Sequence, residues 1–247
     1  MAEPWAPPRP PTPTRRAGRG RIVFWVLTGI AAACLVGSLA AVGVTTRVYT
    51  NAAESMENTL QVGDRLPVAS DDGVRRGDIV VMQIPAHKTG AGELVVKRLI
   101  GLPGDHVACC TADGKVTVNG KPLDETYVYP GNEPSTIKFS VTLGHGMVWV
   151  MGDHRLVSLD SREWGPVPES DITGPVLTIM HGSSFRSVQT PRTFVADGLA
   201  PGGARTPVYT WLLMISGIAI VVLIVLLIIG VTRTIIRRRR GASPPPL

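Results

Sequence analysis

The chain has 247 residues, which leaves roughly 160 for a folded domain with a real core once its tails and two apolar segments are set aside. Its formal net charge of +6 lies at the ends: the first 21 residues hold five Arg, the segment after Thr232 holds five more, and residues 47–205 carry 15 Lys/Arg against 18 Asp/Glu. That distribution excludes a basic folded surface and, with it, nucleic acid as a partner, while three cysteines without a CxxC pair or a His cluster exclude a zinc site.

Residues 1–21, "MAEPWAPPRPPTPTRRAGRGR", are too rich in Pro and Arg to bury a core and read as a disordered tail. Residues 22–46 contain no charge and, at about 37 Å as a helix, are long enough to cross a bilayer. A cleavable signal peptide has a shorter apolar core, of about 7–15 residues, so this segment reads as a retained anchor. Residues 47–187 read as a β domain. "GDIVVMQIP", "LVVKRLIG", "KVTVNGKPL", "MVWVMGD" and "GPVLTIMH" are short runs rich in Val, Ile and Met, punctuated by Gly, Pro and Asp. Asn119-Gly120 is a hairpin signal. The expected fold is mainly β, with mostly antiparallel sheets, flanked by two transmembrane helices. Residues 188–207 read as a Pro/Gly-rich linker and 208–232 as the second span, with Trp211 at its outer edge. Residues 233–247 form a basic tail. Arg clusters flank the N-terminal end of the first span and the C-terminal end of the second, so the positive-inside rule places both termini in the cytoplasm and the β domain outside the plasma membrane.

Three stretches carry chemistry. In "ESMENTLQVGD", Ser55 lies about nine residues past the first span, within roughly 30 Å of the bilayer. Taken alone, it is a linker serine. In "ELVVKRLIGLPGD", Lys97 interrupts an apolar run. Strand side chains alternate, so Lys97 shares a face with Val95 while Arg98 points the other way, and one of the two charges is expected to face the interior or a cleft. The plainer alternative is an edge-strand lysine that guards against aggregation. A buried lysine loses its proton more readily, and a neutral amine can deprotonate a serine hydroxyl. In "MGDHRLVSLDSREWGPVPESDI", Asp153, Arg155, Asp160 and Arg162 alternate in sign, which suits an internal ion-pair network around a rigid site, and Ser158 adds a second hydroxyl.

Together the three stretches resemble type I signal peptidases. The boxes "SMENTL", "KRLIGLPGD" and "GDHRLVSLDSREWGPV" occur in the family's order over residues 55–167. The resemblance implies Ser55 as nucleophile and Lys97 as general base. It makes Ser158 the serine that orients the lysine, Asp160 and Arg162 the buttressing pair, Asp153 and Arg155 supporting residues, and Met56 a residue lining the substrate cleft. It implies a monomer at the lipid membrane, acting on secretory preproteins after Ala-x-Ala-type sites, with no metal or cofactor. Three positions depart from the family: Asn58 replaces Pro, His154 replaces Asn, and Ala53 stands where a Ser or Gly is common. Ala53 cannot donate a hydroxyl to an oxyanion, which leaves backbone N–H groups such as that of Ser55. A non-catalytic β module that binds exported chains is a second reading. A self-cleaving repressor is a third, and it would need a DNA-binding domain and no spans. Cys109 and Cys110 are expected to form a vicinal disulfide without a catalytic role, the alternatives being two thiols or pairing with another chain.

Overall fold

From Ala17 to Thr45 the chain is one helix, α1: no proline interrupts it, and beyond Arg21 no charge breaks its apolar run. The computed structural model describes residues 17–69, 73–86, 88, 92–188, 190–196, 198–199 and 208–241. Residues 17–21, expected within the disordered tail, are therefore the first turns of α1. Most of that tail, His87 and residues 242–247 lie outside the described residues. Two compact units result: the pair of long helices, up to Ala40 and from Leu212, and the segment Ala41–Trp211.

The second long helix, α4, spans Val208–Gly241, and the stretches Gly20–Val44 and Trp211–Ile236 are each long and apolar enough to cross a membrane. Within their unit the helices run antiparallel. The Ser38 and Ser216 hydroxyls are 2.6 Å apart, and Gly230 faces the Phe24 ring. The covered positions step by four and three residues: Phe24, Thr28, Ala31, Leu35 and Ser38 on α1, and Ser216, Ala219, Leu223, Leu226 and Gly230 on α4. That is the spacing of a helix–helix seam.

In the other unit every strand pair is antiparallel, as expected for short apolar runs broken by turn residues. One sheet has the order β1 (Thr46–Thr50), β2 (Arg65–Ala69), β12 (Thr178–His181), β13 (Ser184–Ser187). The central sheet has the order β10 (Val167–Pro168), β9 (Met147–Met151), β4 (Leu94–Gly101), β3 (Ile79–Gln83), β11 (Ile172–Pro175). The third has the order β7 (Lys121–Pro122), β6 (Val116–Val118), β5 (His106–Cys109), β8 (Phe139–Thr142). Asn119 and Gly120 both have positive φ, 54° and 76°, and turn β6 into β7 as the pair predicts. Cys109 and Cys110 are joined in a vicinal disulfide at the end of β5.

The central strand β4 joins three apolar clusters. Val96 packs with Met56, Leu60 and Leu66, Leu99 packs with Val80, Val150 and Trp164, and Ile100 packs with Val107, Leu143 and Trp149. The last residue of the strand is Gly101, where a Cβ would sit 2.6 Å from Val107 and 2.8 Å from Leu143, so the close packing requires glycine. The turn that follows is held by Asp105, which accepts the Leu102 N–H at 2.7 Å, two bonds from Arg76 at 2.8 and 2.6 Å, and one from Asn119 Nδ2 at 2.8 Å. A one-turn helix, α3 (Thr193–Ala196), corrects the expected linker. Phe194 is 0% exposed in the third sheet's core and Leu199 is buried beside it, so the folded domain extends at least to Leu199.

Candidate active site

Ser55 sits on a 3-10 turn, Glu54–Met56, at the start of a loop whose base is closed. Asn51 donates its N–H to the Asp64 carbonyl and Gly63 donates back to the Asn51 carbonyl, both at 2.8 Å. Met56 and Leu60, one helical turn apart, are fully buried with Leu66, Val68 and Ile79. Burying two such side chains contributes about 3–6 kcal/mol, enough to fix the residue just before them. Met56, expected in the substrate cleft, is 0% exposed and instead plugs the Ser55 turn into the core from beneath.

Lys97 projects from the middle of β4. Arg98 pairs with Met151, so the next position opposite Lys97 is Gly152, where the β4–β9 ladder has stopped. The Ser55 backbone fills that gap: a Cβ on Gly152 would lie 2.5 Å from the Ser55 carbonyl oxygen and would collide with the Ser158 side chain. The glycine of "GDHR" is thus required by close approach. Lys97 Nζ donates to Ser55 Oγ at 2.9 Å. The lysine is 2% exposed, and burial is the main influence that lowers its ammonium to about 8. The Asp160 charge opposes that shift and the Arg162 charge adds to it.

Asp160 organises the loop beyond. It caps the one-turn helix α2 (Ser161–Trp164) by accepting the Arg162 N–H, and its carboxylate also accepts from Gly152 N–H, Ser158 Oγ and the Arg162 guanidinium, all at 2.8–2.9 Å. Burial pushes this carboxyl up, but the Arg162 charge and these donors outweigh it and hold it below the usual range. The Ser158 hydroxyl donates to Asp160 at 2.9 Å, while Lys97 donates to Ser55.

The alternating charges of the last box do not form one network among themselves. Asp160 pairs with Arg162, but Asp153 pairs with Arg98 from β4, through bonds of 2.8 and 2.6 Å, and Arg155 pairs with Glu125 at 2.6 Å. Arg155 also donates to the Pro134 carbonyl. The expectation that one of Lys97 and Arg98 is buried is corrected: Arg98 is 1% exposed. Its face is opposite to that of Lys97, yet it too is covered. It donates to the Gly77 carbonyl at 2.8 Å and lies 4.2 Å from the centre of the Tyr127 ring. Thr59 Oγ1 donates to Asp153, which ties the Ser55 loop to the same ion pair.

Thr59, Glu125 and Tyr127 were not legible as site-supporting residues. Tyr127 donates to Glu125, but "DETY" reads locally as an ordinary polar loop, and only the fold brings it beneath Arg155. Among the described residues no group of three or more His, Cys, Asp or Glu side chains is placed to hold a metal.

Comparison with known proteins gives one consistent answer. The family described as signal peptidase, peptidase S26, matches residues 22–181. The signal peptidase I V of Bacillus subtilis is 31% identical over 172 residues, covering 62% of this chain and 95% of the relative. The signal peptidase I of Leptolyngbya laminosa is 36% identical over 133 residues, and a probable signal peptidase I-2 of Synechocystis is 39% identical over 129. Each of these two alignments covers 49% of this chain but only 62% and 56% of the relative, under two thirds of its length. A crystal structure of a signal peptidase I from Enterococcus faecalis is 32% identical, with a TM-score of 0.37, covering 42% of this chain and 97% of that one.

Proposed function

We propose, from the premise that this chain belongs to the signal peptidase family, peptidase S26, that it is a membrane-anchored serine endopeptidase removing signal peptides from exported preproteins after Ala-x-Ala-type sites. The observation that carries this reading is the buried 2.9 Å contact between Lys97 Nζ and Ser55 Oγ, with the lysine lowered to about 8. A neutral Lys97 reverses that contact and accepts the Ser55 proton. Ser55 Oγ attacks the carbonyl carbon after the second small residue, and backbone N–H groups such as that of Ser55 stabilise the oxyanion, since Ala53 has no hydroxyl to offer. The tetrahedral centre collapses, the C–N bond breaks, and the Lys97 ammonium returns its proton to the leaving amine. Lys97 then deprotonates a water, which attacks the Ser55 ester and releases the carboxylic acid. Asp160, Arg162 and Ser158 hold the loop against which Lys97 and Ser55 meet. Asp153 and Arg155 fasten that loop to β4 and to Glu125.

The topology we infer has both termini in the cytoplasm and the β domain outside. Its support is the Arg clusters at the outer ends of both spans and the antiparallel pairing of α1 with α4. The test is cleavage of a preprotein with an Ala-x-Ala site in detergent micelles by wild type, Ser55→Ala and Lys97→Ala. Cleavage by wild type alone, after the second small residue, is the expected result. Cleavage that survives in Lys97→Ala would assign the base elsewhere, and binding without turnover by wild type would favour the non-catalytic module.

A further inference from the structure

His154 is the third departure from the family boxes, and its surroundings give it a task. Its backbone N–H donates to the Ser55 carbonyl at 3.1 Å, so the residue already touches the nucleophile's own peptide unit. Its ring stacks on Tyr129, with centres 4.1 Å apart and planes 7° from parallel. Ring atom Nδ1 is shut off from solvent and has no hydrogen-bond partner. A buried polar atom left in that state is costly, because it gives up its bond to water and gains none in return. Nδ1 faces Glu57 Oε2 at 3.7 Å, about half an ångström beyond a hydrogen bond. The neighbouring charges are already committed, Asp153 to Arg98 and Arg155 to Glu125. Glu57 is therefore the carboxylate that can serve this ring. It closes the nucleophile turn, donating its N–H to the Glu54 carbonyl at 3.0 Å.

Resting on the signal-peptidase reading, we propose that His154 and Glu57 form a clamp across the nucleophile turn, with His154 as a positioning residue for Ser55. Residues 54–57 are held at two points by His154: at the Ser55 carbonyl through its main chain, and at Glu57 through Nδ1–H. The second contact, at 3.7 Å, shortens to hydrogen-bond length by a small side-chain rotation of Glu57, which is half-buried beside the ring. The family's asparagine fits the same account. An Asn Nδ2 occupies the place of His Nδ1 and donates in the same direction, without the stack on Tyr129.

The experiment uses the full chain in micelles with an Ala-x-Ala preprotein, at a temperature where melting curves show every variant folded. The variants are His154→Ala, His154→Asn, Glu57→Ala and the His154→Ala/Glu57→Ala double. The expected result for His154→Ala is a kcat about tenfold lower with KM within about twofold, the pattern of a group that acts on geometry rather than on binding. His154→Asn should stay within about threefold of wild type, and the double variant should be no more than about twofold slower than His154→Ala. Wild-type kcat in His154→Ala, equal loss in His154→Asn and His154→Ala, or losses that multiply in the double variant would each overturn the clamp. Failure of the clamp is separable from failure of the enzymatic reading. Unchanged His154→Ala beside a dead Ser55→Ala sinks the clamp alone, whereas no cleavage by wild type sinks both.

Discussion

At Lys97 the burial that lowers the ammonium to about 8, and so fits it to the proposed role of base, also weakens the fold, and both consequences can be measured. Activity should rise with pH through a midpoint near 8, because the working form is the neutral amine and burial lowers the group to about 8. At pH 7 only about one molecule in ten would then carry a neutral lysine. A kcat/KM profile flat from pH 6 to 10 would rule out this base. The stability effect has the opposite origin. The unfolded lysine titrates at about 10.4, so between about 8 and 10.4 the unfolded chain binds the extra proton and stability rises with pH. Below pH 8 both states are protonated and the fold bears the full penalty, on the order of 3 kcal/mol. Lys97→Met should therefore be inactive yet more stable than wild type at pH 7, with the gap narrowing towards pH 10.5 in urea titrations. Arg98 behaves differently. Arg98→Ala would leave Asp153 buried without its cation and should cost about 3–5 kcal/mol. Denaturation with the same midpoint as wild type would show that water or Thr59 satisfies Asp153 instead. The family box singles out Lys97 of these two adjacent residues as the expected base. That both are buried was not, because alternation assigns faces and says nothing about what covers each face.

Among the elements, those with an apolar run were legible and those without one were not. β3, β4 and β9 each present several Val, Ile or Met residues in a row, since sheet clusters cover both of their faces. β1, β8 and β13 have mixed burial or are fully exposed, so their sequences carry little pattern and pairing decides them. The one-turn helix α2 exists because Asp160 caps it within a tertiary network, not through propensity. The two long helices were evident from length and polarity, but their partnership was not. Their seam sets small residues opposite large ones, Gly230 beside Phe24, and joins Ser38 to Ser216. Ser38→Ala should weaken the pairing by only about 0.6 kcal/mol, the average for such bonds in a membrane. Gly230→Leu should weaken it more by pushing against the Phe24 ring. Energy transfer between labels on the two helices in bilayers would measure both, and equal effects would mean that the seam is not set by packing at Gly230.

For the molecule as a whole, the boundary of the β domain matters most in practice. A segment ending at residue 187 omits Phe194 and Leu199, both buried in the core around Trp149 and Leu123. Phe194→Ala should cost about 3–5 kcal/mol. A segment of residues 47–187 should accordingly unfold at much lower urea than one of residues 47–199, and equal midpoints would return residues 188–199 to the linker. Legible without the fold were the two apolar segments long enough to cross a membrane, the antiparallel β class and the order of the three boxes. Those depend on composition, on local periodicity and on short stretches whose residues act where they stand. Tertiary structure alone decided that Met56 is an anchor, that Arg98 and Asp153 share a buried ion pair, that Glu125 supports Arg155, and that Phe194 belongs to the core. Each of those joins side chains that are distant in sequence or covers a face from elsewhere, and a chain read one residue at a time contains no record of what folds on top of it.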